Sequence, residues 1–236
     1  MTRAERLQQI NLEISEAAIR SGRTKSEVTL VAVSKTFPAA DVAAFSELGQ
    51  LNFGENKVQE FVQKKSEIDA ILPGNTLKWH AIGHLQRNKA KDLVAITSMF
   101  HALDSLKLAS TLDQQLERLD LRLPCLIQVN VSGEESKFGI EPSELDRFVD
   151  AALANKRLEI MGLMTLASPA DNPEDIRPEF AHLRTLANSV ADRWYDPSRI
   201  HLSMGMSHDF KIAIEEGATL VRVGSSLFGS RNYDPT

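Results

Sequence analysis

A single cysteine, two tyrosines and two tryptophans stand in a chain of 236 residues. One cysteine excludes an internal disulfide, so Cys125 directs the reading to a reducing compartment, the cytoplasm. It lies in the apolar run LPCLIQVNV and reads as core filler. No apolar run reaches the ~18 residues that span a bilayer. The first segment, MTRAERLQQINLEISEAAIR, breaks its apolar positions with charges and lacks the core of a signal peptide. Excess positive charge is missing too: 27 Lys and Arg against 32 Asp and Glu give a net charge of −5, which argues against nucleic acid and anionic membranes as partners. Also absent are a glycine-rich fingerprint after the first strand, a linker and an internal repeat. The first absence counts against a dinucleotide-binding sheet, and the others leave one domain over 1–236.

What the chain does have is alternation. Apolar runs at 29–34, 51–53, 77–83, 99–104, 123–131, 158–166, 199–204 and 220–224 read as strands. Helical periodicity fills 38–49, 55–70, 86–97, 105–119, 141–155, 173–193 and 207–217. Pro38 suits a helix start, Asp104 or Ser105 a cap, and Ser207 a cap for the last helix. An extra amphipathic helix precedes them, with Leu7, Ile10, Ile14, Ala17 and Ala18 on one side. Eight strands with crossover helices predict an α/β fold, a single (β/α)8 TIM barrel, with an open doubly wound sheet as the rival.

Barrel chemistry sits at the C-terminal ends of the strands. Strand one, LVAVSKTFP, ends on Lys35; parity puts Val31, Val33 and Lys35 on one face, inward. In LVRVG the valines face the helices and Arg222 faces the barrel interior. Small and hydroxyl residues follow strand seven (Ser203 to Ser207) and strand eight (Gly224, Ser225, Ser226), the two places where a barrel binds phosphate. Each cation has a plainer reading as half of an ion pair, with Glu55 and Asp104 available, and Glu55 also suits the start of the second barrel helix. An inward lysine near phosphate fits a lysine aldolase on a sugar phosphate or a lysine holding pyridoxal 5'-phosphate (PLP); the residues alone leave both open. His80 and His84 are poorly spaced for metal, and no metal site is expected. His201 reads as a core or rim histidine, and Lys137 and Tyr233 stay without an assigned role.

Seven ordered motifs carry a resemblance: VAVSKT at 31–36, NFGENKVQE at 52–60, WHAIGHLQRNK at 79–89, SKFG at 136–139, GLM at 162–164, LSMGMSHDF at 202–210 and VRVGSSLFGSRNY at 221–233. Across essentially its whole length the chain resembles the pyridoxal phosphate homeostasis family. The resemblance implies a barrel like the N-terminal domain of alanine racemase (PLP fold type III). It further implies PLP as cofactor, with Lys35 forming the internal aldimine. Arg222 would face the pyridine nitrogen, and Ser203, Gly224 and Ser225 would bind the phosphate. Asn56, His84 and Met204 would lie near the ring or its substituents. Relatives often carry Thr where this chain has Ser225, and the hydroxyl is retained.

An arginine at the ring nitrogen stays protonated and accepts nothing, so the nitrogen remains unprotonated and PLP is a weaker electron sink. Racemases with this arrangement use a second residue from a separate domain, for which this chain has no length. The expectation is therefore a cytoplasmic, monomeric PLP-binding protein with weak or no turnover. It would meet small amines, amino acids and PLP-dependent enzymes, and through PLP homeostasis influence amino-acid balance. The alternatives are a small PLP-dependent racemase or lyase and a cofactor-free lysine aldolase.

Overall fold

The computed structural model describes residues 1–134, 136–196 and 199–229. Eight parallel strands close into a barrel in the order β1 to β8. They are β1 (Thr29–Val33), β2 (Asn52–Glu55), β3 (Lys78–Ala81), β4 (Met99–Leu103), β5 (Leu123–Gln128), β6 (Leu158–Met164), β7 (His201–Met206) and β8 (Leu220–Val223). Closure comes from β1 against β8, in register from Thr29 with Leu220 to Ala32 with Val223. Around the barrel run α2 (Ala39–Glu47), α3 (Val58–Ile71), α4 (Ala90–Leu93), α5 (Leu106–Leu119), α6 (Leu145–Ala152), α7 (Arg177–Ser189), α8 (Phe210–Glu215) and α9 (Ser225–Phe228). The barrel and the eight strand positions match the sequence reading; the rival open sheet does not occur.

The extra helix is α1 (Arg3–Arg20), opened by a reciprocal Thr2–Glu5 capping box that satisfies two amides left over at a helix start. Its predicted stripe of Leu7, Ile10, Ile14, Ala17 and Ala18 is buried, and it packs on α8 and α9. Arg6 donates from Nε to the carbonyl of Leu227 at 2.5 Å, which ties α1 to the segment after β8.

Parity divides each strand between two cores. Phe53 of β2 and Trp79 of β3 face the helices and meet Phe61 of α3, with Trp79 ring centroids 5.9 and 5.5 Å from the two phenylalanines. Their neighbours Asn52 and His80 face the barrel axis and touch each other. Two expected boundaries shift. β2 runs on through Gly54 and Glu55, and α3 begins only at Val58, so Glu55 is a strand residue rather than a helix cap. Ser105 caps α5 through the amide of Leu108, whereas α8 starts at Phe210, beyond the cap expected at Ser207. Among the described residues no helix is long and apolar enough to cross a membrane.

Candidate functional site

Lys35 lies two residues beyond the end of β1, in a tight turn. The amide of Phe37 donates to the carbonyl of Ser34 at 3.0 Å, leaving Lys35 and Thr36 as the two central residues. Thr36 has φ +69°, the left-handed value that a type II turn demands at this position and normally gives to Gly or Asn. For a β-branched residue it is strained, by a typical ~1–3 kcal/mol. Lys35 makes no hydrogen bond or ion pair with the described residues. Its side chain lines a pocket of 290 Å³ with Val33, Phe37, Gly224, Ser225 and Gly229. One wall is stiffened by Phe37 stacked on Phe228, centroids 4.8 Å apart.

The carboxylates that stood as possible partners are used elsewhere. Asp104 meets His84 Nδ1 at 2.9 Å. Glu55 lies behind the sheet and pairs with Lys64 of α3 at 2.6 Å. Its Oε1 also accepts the Ser34 hydroxyl at 2.6 Å, while Oε2 is buried with no hydrogen-bond partner among the described residues. Burial pushes the Glu55 carboxyl up, against the opposing pull of Lys64.

Arg222 points into the barrel, as its parity predicts, and is buried. It donates to Ser203 Oγ at 2.6 Å and to the Thr165 carbonyl at 2.8 Å. Burial brings its pKa down to about 10, partly offset by Asp209. Asp209 in turn accepts the Met206 amide at 2.5 Å, and burial raises its carboxyl. From Ser203 a line of contacts continues through His101 Nδ1 at 2.8 Å, His80 Nδ1 at 2.9 Å from His101 Nε2, and Asn52 Oδ1 at 3.1 Å from His80 Nε2. Burial lowers the pKa of His80 to about 4 and holds that of His101 well below the ordinary imidazole value.

The loops after β7 and β8 meet where the Gly224 amide donates to Ser207 Oγ at 3.2 Å. Ser225 and Ser226 are exposed and open α9, so their amides have no acceptor within that helical turn. Thus Lys35, Gly224 and Ser225 come together in one pocket. Asn56 and His84, from the next two strand ends, line a 270 Å³ hollow with Lys57 and Lys89. His84 also stacks on Phe138, centroids 4.1 Å apart. Met204 is wholly buried in the core. Ser203 sits below the loops, its hydroxyl fully buried and held between Arg222 and His101; the hydroxyl facing Gly224 is that of Ser207. Lys137 pairs with Glu134 at 2.7 Å. Tyr233 lies outside the described residues.

The sequence reading places Ser207 both in the hydroxyl-rich loop after strand seven and as a helix cap; it misses the histidine line and Lys64. Glu60 and Lys64 did carry an i,i+4 signal, which on a polar helix face resembles any solvated pair. Among the described residues no cluster has the composition of a metal site.

The family model for the N-terminal domain of alanine racemase matches residues 10–232. The pyridoxal phosphate homeostasis protein of Aquifex aeolicus (strain VF5) is 41% identical over 99% of this chain and 100% of its own length. That of Escherichia coli (strain K12) is 41% identical over 98% and 97%. The crystal structure of PipY from Synechococcus elongatus PCC7942, solved with PLP bound, superposes with a TM-score of 0.82 at 35% identity, covering 97% of this chain and 100% of PipY. With a closed parallel barrel, a strand-end lysine and this likeness over nearly its full length, the chain belongs to the pyridoxal phosphate homeostasis family, whose barrel is that of the alanine racemase N-terminal domain.

Proposed function

We propose that this protein binds pyridoxal 5'-phosphate through Lys35 and acts in PLP homeostasis, holding and releasing the cofactor with little or no turnover. The observation that carries the reading is Lys35, without a partner among the described residues, in one pocket with Gly224 and Ser225. The donor set fits the group. A phosphate takes the open amides of Ser225 and Ser226 and the hydroxyls of Ser207 and Ser225, which need no further charge to orient it. Arg222, with five N–H donors of which two go to Ser203 and Thr165, would meet the pyridine nitrogen as a donor only. When bound, PLP supplies an aldehyde carbon that a primary amine attacks reversibly.

Weak turnover has its own support. Among the residues that line its pocket Lys35 carries the only titratable side chain, and His84 in the neighbouring hollow is engaged with Asp104. Asn56 and His84 border the site from β2 and β3 and meet the ring substituents or an incoming amine. The same reading makes the protein a cytoplasmic monomer, and the buried, free Cys125 suits a reducing compartment. It exchanges PLP with small amines, amino acids and PLP-dependent enzymes.

The test is direct. Purified protein mixed with PLP and then freed of unbound cofactor should be yellow, borohydride should fix the label, and peptide mapping should find it on Lys35. Lys35→Ala should stay colourless. A colourless parent protein would overturn PLP binding. Interconversion of D- and L-amino acids at or above about one per second, within the usual enzyme range, would overturn the non-catalytic part and favour a racemase.

A further inference from the structure

The turn that presents Lys35 is gripped from outside the barrel. Ser34 and Thr36, the residues on either side of the lysine, are both bound to one buried cluster on β2 and α3. Lys64 Nζ donates to the Ser34 carbonyl at 2.7 Å, to Glu55 Oε1 at 2.6 Å and to Glu60 Oε1 at 2.9 Å, which uses all three of its donors. Glu55 Oε1 also receives the Ser34 hydroxyl. Glu60 Oε1, on the same face of α3 as Lys64, accepts the amide of Thr36. The Lys64 side chain is 5% exposed and that of Glu55 0%.

Burying Lys64 and Glu55 and partly burying Glu60 is a poor way to gain stability, because desolvation cancels most of the attraction and hydrocarbon would pack as well. What hydrocarbon lacks is an acceptor for the Thr36 amide and a donor for the Ser34 carbonyl. Those two groups define the turn, and Thr36 holds φ +69° within it, a value that a threonine leaves readily unless something holds it. Lys35 itself has no tether among the described residues, so the direction of its side chain depends on this turn.

We propose that Glu60, Lys64 and Glu55 are positioning residues for Lys35: they clamp the strained Ser34–Phe37 turn so that the amine is presented to the pocket beside Gly224 and Ser225. The inference rests on Lys35 being the residue that captures PLP, and the experiment separates the two. None of the three touches the cofactor pocket. Glu60 is the arm that grips Thr36, and with its side chain 26% exposed it is the one most safely removed.

The experiment measures borohydride-trapped PLP on Lys35 against PLP concentration, and exchange of the Thr36 amide in the ligand-free protein by NMR. Glu60→Ala is expected to fold, to exchange the Thr36 amide at least ~10-fold faster and to weaken PLP capture about tenfold, equivalent to ~1.4 kcal/mol. Glu60→Gln keeps an acceptor oxygen and should capture PLP within about threefold of the parent. Glu60→Ala with Thr36→Gly is the decisive variant. Glycine takes positive φ without strain, so capture should return to within about threefold of the parent although the carboxylate is still missing. Parental capture by Glu60→Ala, unchanged Thr36 exchange, or failure of Thr36→Gly to restore capture each overturns the clamp. Should the parent itself trap no PLP, the functional reading falls, and Thr36 exchange in Glu60→Ala alone decides the clamp.

Discussion

Arg222 donates from Nη1 to the hydroxyl of Ser203 at 2.6 Å, at one end of a buried line whose direction the Asn52 carbonyl oxygen sets from the other. Asn52 Oδ1 can only accept, so His80, neutral in this dry interior, donates from Nε2 and accepts at Nδ1 from His101 Nε2. His101 Nδ1 then accepts from the Ser203 hydroxyl. Each group in the line is satisfied once, and neither histidine has room for a second proton. The line holds a buried guanidinium in place through neutral partners, with the Asp209 carboxylate acting on it through space.

Ser203→Ala removes the acceptor for Arg222 and the donor for His101 together. Unpaired buried polar groups cost about 1–3 kcal/mol each, and in a protein of this size each kcal/mol lowers Tm by about 2–4 °C. A Tm loss of several degrees is therefore expected. Ser207→Ala behaves in the opposite way: its hydroxyl is half-exposed beside Gly224, so Tm should hardly change while the PLP dissociation constant rises. Thermal melts of both variants, with PLP titrations, check the pair. Equal melting temperatures would show that the buried line contributes nothing.

The histidines set an acid limit. Both have pKa values held below the ordinary 6.5 by burial, His80 at about 4. Below pH 6.5 the unfolded chain takes up protons that the folded one refuses, so stability falls as pH falls, by up to ~1.4 kcal/mol per unit for each histidine. For His80 the window runs from 6.5 to about 4. Glu55 works in the reverse sense: its raised pKa adds stability that is complete below 4.5 and fades as pH climbs through the folded value. His80→Gln keeps a donor for Asn52 and an acceptor for His101. Its Tm should depend less on pH than the parent's between 6.5 and 4, measured by calorimetry at half-unit steps.

Much of this was legible because it follows from period and parity. Alternation in LVAVSK and LVRVG is enough to turn Lys35 and Arg222 inward, and eight strand–helix repeats are enough to close the barrel. Partnerships across elements were not. Glu55 and Lys64 are nine positions apart, yet they meet only because β2 extends two residues further than its apolar run and turns Glu55 onto α3. His80 and His101 each look like an isolated core histidine, and only the β3–β4 pairing brings their rings to 2.9 Å. Ser203 and Ser207 are equivalent in sequence terms; depth in the barrel separates them.

Cys125 offers a test of how tightly the barrel stays closed. The thiol is wholly buried on β5, and burial drives its pKa far above the ordinary thiol range, so it is neither accessible nor nucleophilic. A maleimide should leave the native protein unlabelled over hours and label it stoichiometrically in denaturant. Rapid labelling under native conditions would mean that β5 opens locally without global unfolding.

Gly83 tests whether the end of β3 shapes the site. A Cβ on Gly83 would lie 2.3 Å from the carbonyl oxygen of Asn56 and 2.9 Å from its Cα, and backbone cannot step aside as a flexible side chain does. Gly83→Ala must therefore push the Asn56 segment away from the strand end. That segment joins β2 to α3, so the displacement reaches the hollow shared by Asn56 and His84 before it reaches the apolar core. The expected result is a folded protein whose PLP affinity falls about tenfold or more, equivalent to ~1.4 kcal/mol, with a smaller change in Tm. Thr76→Ala, an exposed change in the loop before β3, serves as the control and should alter neither. Parental PLP affinity in Gly83→Ala would show that Asn56 takes no part in holding the cofactor.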